Sequence, residues 1–346
     1  LEKVPQHSLT FFAHTSVTNG SGVSSNPEYK KAEIAQKAYT MKKILFLVSA
    51  VMATSLCNAK AYKITTSDHV DLYINVQGKG APCLYIHGGP GSGSYWMEKF
   101  AGDILEKRFT MVYLDLRGVG RSTSPGDSNY GIDRMIQDFE EIRQFLGFKD
   151  WTIMGHSFSG TMTTAYALEH PKSIRSILMF NCSLDLKESI TESWIPKAVE
   201  ILDIKDSLFY QDTTVAVQDK LNRLFPLLNE KGVMWKLAYA DKENETKMNA
   251  TYREIPNWNH DFSAVGMVHK DYLINFKTFT SVIETPVLFF YGENDWTIGP
   301  EHYKGVLFPN MVLWKSSSGH IPFMENKNDL EAAMDLFLKK YDLNQP

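Results

Sequence analysis

Ser157 lies in the stretch Gly155-His156-Ser157-Phe158-Ser159-Gly160. The apolar run Trp151-Thr152-Ile153-Met154 precedes it, and Thr161 to Leu168 follows with helical spacing. A serine on a sharp strand-to-helix turn presents its hydroxyl at the edge of a sheet, and small neighbours leave room for the strained backbone this requires. A serine hydroxyl is a poor nucleophile until a base takes its proton. A histidine does this near neutral pH, and a carboxylate on its second nitrogen fixes the tautomer. The chain offers Ser157, then Asp295, then His320. Taken singly, Asp295 suits a turn or a helix cap as well, and His320 suits a structural role. Glu293 and Asp271 are alternative acids in less favourable places. Three such residues in this order, each just after an apolar run, point to acyl transfer.

Acyl transfer also needs two N–H donors aimed at the developing oxyanion. The residue after the nucleophile, Phe158, supplies one. The stretch His87-Gly88-Gly89-Pro90-Gly91, directly after Cys83-Leu84-Tyr85-Ile86, supplies the other from Gly89 or Gly88. Glycine lets the backbone approach the reacting oxygen.

These residues need a frame that brings them to one edge. Ala61 to Val76 alternates as a β-hairpin around Ser67-Asp68-His69. Short apolar runs at 83–86, 109–116, 151–154, 174–180, 286–291 and 311–314 read as strands buried on both faces. Helical patterns fall between them at Tyr95 to Leu105, at Ile132 to Leu146 and after Ser157, and Leu330 to Tyr341 closes the chain. Strands alternating with helices predict a mostly parallel sheet flanked on both faces, with ligands bound at the carboxyl ends of the strands. Residues 183–279 break this rhythm with a charged, Met- and Trp-containing, helical stretch. A connection of that length is rare unless functional, and we read it as a helical cap. The core then divides into 60–182 and 280–346.

The chain has 346 residues and a net charge of −4, so a nucleic-acid partner is not expected. Its body holds no apolar run long enough to span a bilayer. Residues 1–40 are polar and expected to be disordered. Residues 41–59 read as an export signal: Met41-Lys42-Lys43, an apolar stretch to Leu56, then Cys57-Asn58-Ala59 with cleavage after Ala59. The expectation is a periplasmic or secreted enzyme whose natural start is Met41, with no stable membrane insertion after cleavage. Cys83 and Cys182 would then remain. They are expected at opposite edges of the sheet, too far apart to bridge.

Taken together, His87–Gly91, Asp115-x-Arg117-Gly118-x-Gly120-Arg121-Ser122, the serine turn, Gly292-x-x-Asp295 and Gly319-His320 resemble the proline iminopeptidase family of α/β-hydrolases over about residues 60–345. The resemblance implies an α/β-hydrolase fold with an eight-stranded, mostly parallel sheet and an inserted helical cap. It implies Ser157 as nucleophile, Asp295 as acid and His320 as base, with Arg117 and Arg121 bracing loops. It implies release of N-terminal proline or another small residue from short peptides. The chain departs from the family pattern at Ser159, where glycine is usual. Asp261 matches the place of a cap acid that holds the free amino terminus in such enzymes, whereas Trp296 replaces a second acid. Gly88, Asp261 and Trp296 are therefore the expected substrate contacts. Trp96, Trp194, Trp258 and Trp296 suit an apolar pocket or plain core. A carboxylester or lactone hydrolase on the same three residues, and a ligand-binding receptor of the same fold, stand as alternatives. No cofactor or metal is expected, because the histidines lack ligand spacing.

Overall fold

The computed structural model describes residues 60–343; the expected upstream extension and export signal lie outside the described residues. Eight strands form one sheet in the order β1-β2-β4-β3-β5-β6-β7-β8. They are β1 (Lys60–Thr65), β2 (Asp71–Gly78), β3 (Ala81–Ile86), β4 (Phe109–Leu114), β5 (Trp151–His156), β6 (Ile174–Phe180), β7 (Val287–Gly292) and β8 (Met311–Ser316). The β1–β2 and β2–β4 pairs are antiparallel, and the other five are parallel.

Strand alternation sends successive side chains to opposite faces, and this sorts the core into two layers. Cys83, Tyr85, Met154 and Leu178 face α1 (Tyr95–Leu105) and the C-terminal helix Lys327–Lys340, through Met97, Ala101, Leu330 and Met334. Leu84, Ile86, Ile153 and Ile177 face the other way, onto α2 (Ile132–Phe145) and α3 (Gly160–Glu169), where Met135, Phe139, Met162 and Tyr166 are buried. Both layers are apolar, which is why the central strands read as continuous hydrophobic runs rather than alternating ones.

Cys83 and Cys182 are both buried and unbonded. The expectation that they sit at opposite sheet edges is corrected: β3 and β6 flank β5 in the middle of the sheet. They are kept apart because Cys83 points into one layer and Cys182 into the other.

Between β6 and β7 the chain runs through helices and helical turns, from Leu186–Glu188 to Phe276–Val282, the longest being Val217–Glu230. Part of this insertion has a small core of its own, built from Ile195, Ala198, Leu202, Leu224, Leu228 and Leu237.

Candidate active site

Strand β5 is central and ends at His156, where the backbone turns abruptly. His156 is extended at φ −134°, and Ser157 swings to φ +60°. A non-glycine residue there is strained by roughly 1–3 kcal/mol and persists only if its surroundings hold it. They do: Ser157 N–H donates to the Asn181 carbonyl at 3.1 Å, and Ser183 N–H donates to the Ser157 carbonyl at 3.0 Å. The two glycines of the turn have no room for a Cβ, which would lie 2.6 Å from Thr163 Oγ1 at Gly155 and 2.4 Å from the Ser183 carbonyl at Gly160.

Ser159, where the family pattern has glycine, is fully buried. Its hydroxyl accepts His156 N–H at 2.7 Å and donates to the His156 carbonyl at 2.9 Å. The departure from the pattern is therefore accommodated by folding the side chain back onto the turn that it belongs to.

The three residues expected to act together do meet. Ser157 Oγ–H donates to His320 Nε2 at 2.9 Å, and His320 Nδ1–H donates to Asp295 Oδ2 at 3.0 Å. All three are buried. The Asp295 carboxylate receives three further donors: Asn181 Nδ2 at 2.8 Å on Oδ2, and the backbone N–H groups of Thr297 and Ile298 at 3.0 Å on Oδ1. Burial pushes its pKa up, but His320, Asn181 and these amides outweigh it and leave Asp295 below the usual carboxylate range. The alternative acids are engaged elsewhere. Glu293 pairs with Lys315, and Asp271 accepts the N–H of Ile132 at the start of α2.

Gly88 is packed against Ser157, so that an added Cβ would lie 2.6 Å from Ser157 Cβ. Gly89 adopts φ +119°, a conformation that favours glycine. The buried His87 sets this loop. Its Nδ1 lies 2.8 Å from the Gly88 carbonyl, and its Nε2 accepts Leu116 N–H at 3.2 Å. Nδ1 therefore carries the proton and holds the Gly88 carbonyl. Because a peptide plane is rigid, this also orients the N–H of Gly89. Phe158 is buried, with its ring against Phe262 and Tyr272 of the insertion.

Beyond Gly89 opens a cavity of about 390 Å³ lined by Pro90, Tyr95, Trp96, Tyr252, Ile255 and Trp258 among others, with no carboxylate in its wall. The polar atoms of three of its rings are already occupied. Trp96 Nε1 donates to Thr251 Oγ1, Trp258 Nε1 to the Gly91 carbonyl, and the Tyr95 hydroxyl to Glu254. What faces the cavity is therefore chiefly apolar ring surface.

None of the three expected substrate contacts, Gly88, Asp261 and Trp296, lines this cavity. The exposed carboxylate of Asp261 accepts the hydroxyl of Ser124 and does not line the cavity. Trp296 packs on the insertion's small core with Lys197 over its ring at 4.3 Å. Trp194 joins the same core, so only Trp96 and Trp258 of the four tryptophans reach the cavity. Asp261 opens a helix of only five residues, whose direction sequence spacing does not fix, and Trp296 lies past β7, outside the insertion. Arg117 and Arg121 brace loops: Arg117 bonds Asp138 and Asp68, and Arg121 bonds Asp115.

Three supporting residues have no role in the sequence reading, although His156 stands beside Ser157 in the serine turn. Asn181, just after β6, holds both Asp295 and the Gly319 carbonyl. His156 Nε2 lies 2.8 Å from the His320 carbonyl, to which it donates. Burial first, then the charge of His320, pulls the His156 pKa down to about 3, so its ring is neutral. Glu325 accepts the N–H of Gly319. The available signals were slight: an asparagine ending an apolar strand, and an acid five residues past a histidine. Among the described residues no cluster of His, Cys, Asp or Glu suits a metal ion, and no helix is long and apolar enough to cross a membrane.

A family model for the alpha/beta hydrolase fold matches residues 82–327. A proline iminopeptidase of Saccharolobus solfataricus is 25% identical over 288 residues, covering 78% of this chain and 88% of that protein. An AB hydrolase superfamily protein of Bacillus subtilis is 37% identical over 128 residues, covering 36% of this chain. That match spans 43% of the Bacillus protein, less than half its length. The crystal structure of a proline iminopeptidase-related protein from Thermus thermophilus superposes with a TM-score of 0.67 at 16% identity, covering 82% of this chain and 98% of that one, a likeness of fold.

Proposed function

Because the chain belongs to the alpha/beta hydrolase fold family, we propose that it is a serine hydrolase working through an acyl-enzyme. The observation that carries this reading is the continuous hydrogen-bonded path Ser157–His320–Asp295, with steps of 2.9 and 3.0 Å, beside a glycine loop that touches the nucleophile. Ser157 Oγ attacks the substrate carbonyl as His320 Nε2 takes its proton. Asp295 stabilises the imidazolium formed, and the N–H groups of Phe158 and Gly89 receive the oxyanion. His320 then returns the proton to the leaving amine or alkoxide. A water molecule repeats the sequence in reverse and frees the acid and Ser157.

The leading substrate is a short peptide with an N-terminal proline or another small residue. The His87–Gly91 motif and the similarity to proline iminopeptidases support it. A specific observation favours a second reading, a carboxylester hydrolase: the cavity wall holds no carboxylate to meet a free amino terminus, and Asp261 is turned to Ser124. Proline and alanine arylamides, assayed beside N-blocked proline arylamide and short acyl esters, separate the two. Ester turnover without arylamide turnover refutes the peptidase reading. Asp261→Asn leaves an esterase unaffected and impairs an enzyme that reads the amine through that residue. Labelling by a fluorophosphonate probe, lost in Ser157→Ala, tests the nucleophile. A well-folded protein that takes no label would instead be a ligand-binding member of the fold. The sequence pattern at 41–59, read as an export signal, supports a periplasmic or secreted location, and N-terminal sequencing of the mature protein tests it.

A further inference from the structure

We propose that Glu325 is a positioning residue that ties His320 to the inserted segment, so that the base is seated only when residues 237–240 are docked. The inference rests on the reading of His320 as general base. The backbone around His320 is held at four points. Its N–H donates to the Ala238 carbonyl at 2.7 Å, and its carbonyl accepts from His156 Nε2 at 2.8 Å. The preceding Gly319 donates its N–H to Glu325 Oε2 at 2.5 Å, and its carbonyl accepts from Asn181 Nδ2 at 2.9 Å. The other oxygen of Glu325 accepts Ala240 N–H at 2.9 Å. One carboxylate thus bonds the residue before the base and a residue of the insertion at once.

The same stretch of the insertion also grips the acid. The Leu237 carbonyl accepts Trp296 N–H and Thr297 Oγ1–H, each at 3.1 Å, from the two residues that follow Asp295. The contact is close enough to demand glycine at 319, where a Cβ would lie 2.7 Å from the Ala238 carbonyl and 2.9 Å from Glu325 Oε2. Further along, Thr251, Tyr252, Ile255, Trp258 and His260 of the insertion line the cavity. The stretch that lines the cavity therefore follows, along the chain, the stretch that holds His320. A carboxylate suits this junction because it accepts two N–H groups with separate oxygens, whereas an amide has a single good acceptor.

The test uses Glu325→Ala and Glu325→Gln with a small acyl ester, together with hydrogen exchange at 237–240 and 318–320. In Glu325→Ala, kcat is expected to fall roughly ten- to a hundredfold through misplacement of the base, with KM within about twofold. Glu325→Gln should fall between wild type and Glu325→Ala. Exchange should rise together in both segments and stay unchanged in β5. Unchanged kcat in Glu325→Ala, or faster exchange in only one segment, overturns the proposal. If Glu325→Ala does not fold, Glu325→Gln carries the test: a lower kcat with faster exchange in both segments supports the coupling, and an unchanged kcat overturns it. Ester turnover retained in Ser157→Ala would instead overturn the serine-hydrolase reading, whatever the Glu325 variants do.

Discussion

Asn181 Nδ2 donates to Asp295 Oδ2 at 2.8 Å, the same oxygen that receives Nδ1–H of His320 at 3.0 Å. Asn181 sits at φ +49°, a left-handed conformation that asparagine tolerates better than most residues. Its side chain therefore reaches the acid from the end of a neighbouring strand. Asn181→Ala should lower kcat about tenfold by loosening Asp295, the scale of one charged hydrogen bond. Asn181→Asp should lower it further, because two adjacent carboxylates cannot both ionise freely. Steady-state kinetics with a short ester, beside a thermal melt, checks both.

Gly88 and Gly160 are tight for different reasons. A Cβ on Gly88 would lie 2.6 Å from Ser157 Cβ and 2.7 Å from the His156 carbonyl. Gly88→Ala should abolish fluorophosphonate labelling by displacing the nucleophile. A Cβ on Gly160 would lie 2.4 Å from the Ser183 carbonyl and 2.8 Å from Cys182 Cβ. Gly160→Ala should destabilise the fold by about 1–3 kcal/mol, the usual penalty of overpacking, read as a lower urea midpoint.

Ser159→Ala removes both hydrogen bonds to the His156 backbone. Leaving a buried N–H without its partner costs about 1–3 kcal/mol. Ser159→Gly should cost no less, since it supplies no hydroxyl either, even though glycine is what the family pattern has there. Urea unfolding of the two variants measures this, and a Ser159→Gly variant as stable as wild type would refute the capping role.

Acidification below about pH 6.5 should destabilise the protein through its buried histidines. Burial above all, with the charges of His320 and Lys277 adding, brings His156 and His302 each down to about 3. Burial also holds His87 below the ordinary histidine value. Between about pH 3 and 6.5 the unfolded chain binds protons that the native His156 and His302 refuse. Stability therefore rises with pH across that window and falls as pH drops from 6.5. His302→Gln should reduce the slope by up to one proton, about 1.4 kcal/mol per pH unit. Urea midpoints from pH 4.5 to 7.5 give that slope.

The frame was legible because burial on both faces writes strands as apolar runs. Cys83 to Ile86 and Ile174 to Phe180 read as strands, and both are. The serine turn was legible because its glycines have no space for a side chain. The supports of the site were not. Asn181 meets Asp295 across 114 positions and His156 meets His320 across 164, and a lone polar residue carries no spacing that announces such a partner. The insertion was the least legible part, for short helical turns can aim a side chain either way. Asp261, in such a turn, and Trp296, just past β7, were expected in the pocket and do not line it.

The order Ser157, Asp295, His320 and the strand-end position of each were set by the linear chain alone. Local periodicity decides where strands stop, and a parallel sheet puts all those ends on one edge. Only the folded structure decided that Ser159 closes the turn, that Asn181 and His156 hold Asp295 and His320, and that the cavity wall is rich in aromatic rings and has no carboxylate. Those outcomes depend on side-chain directions and on contacts between segments far apart in the chain, which no local pattern encodes.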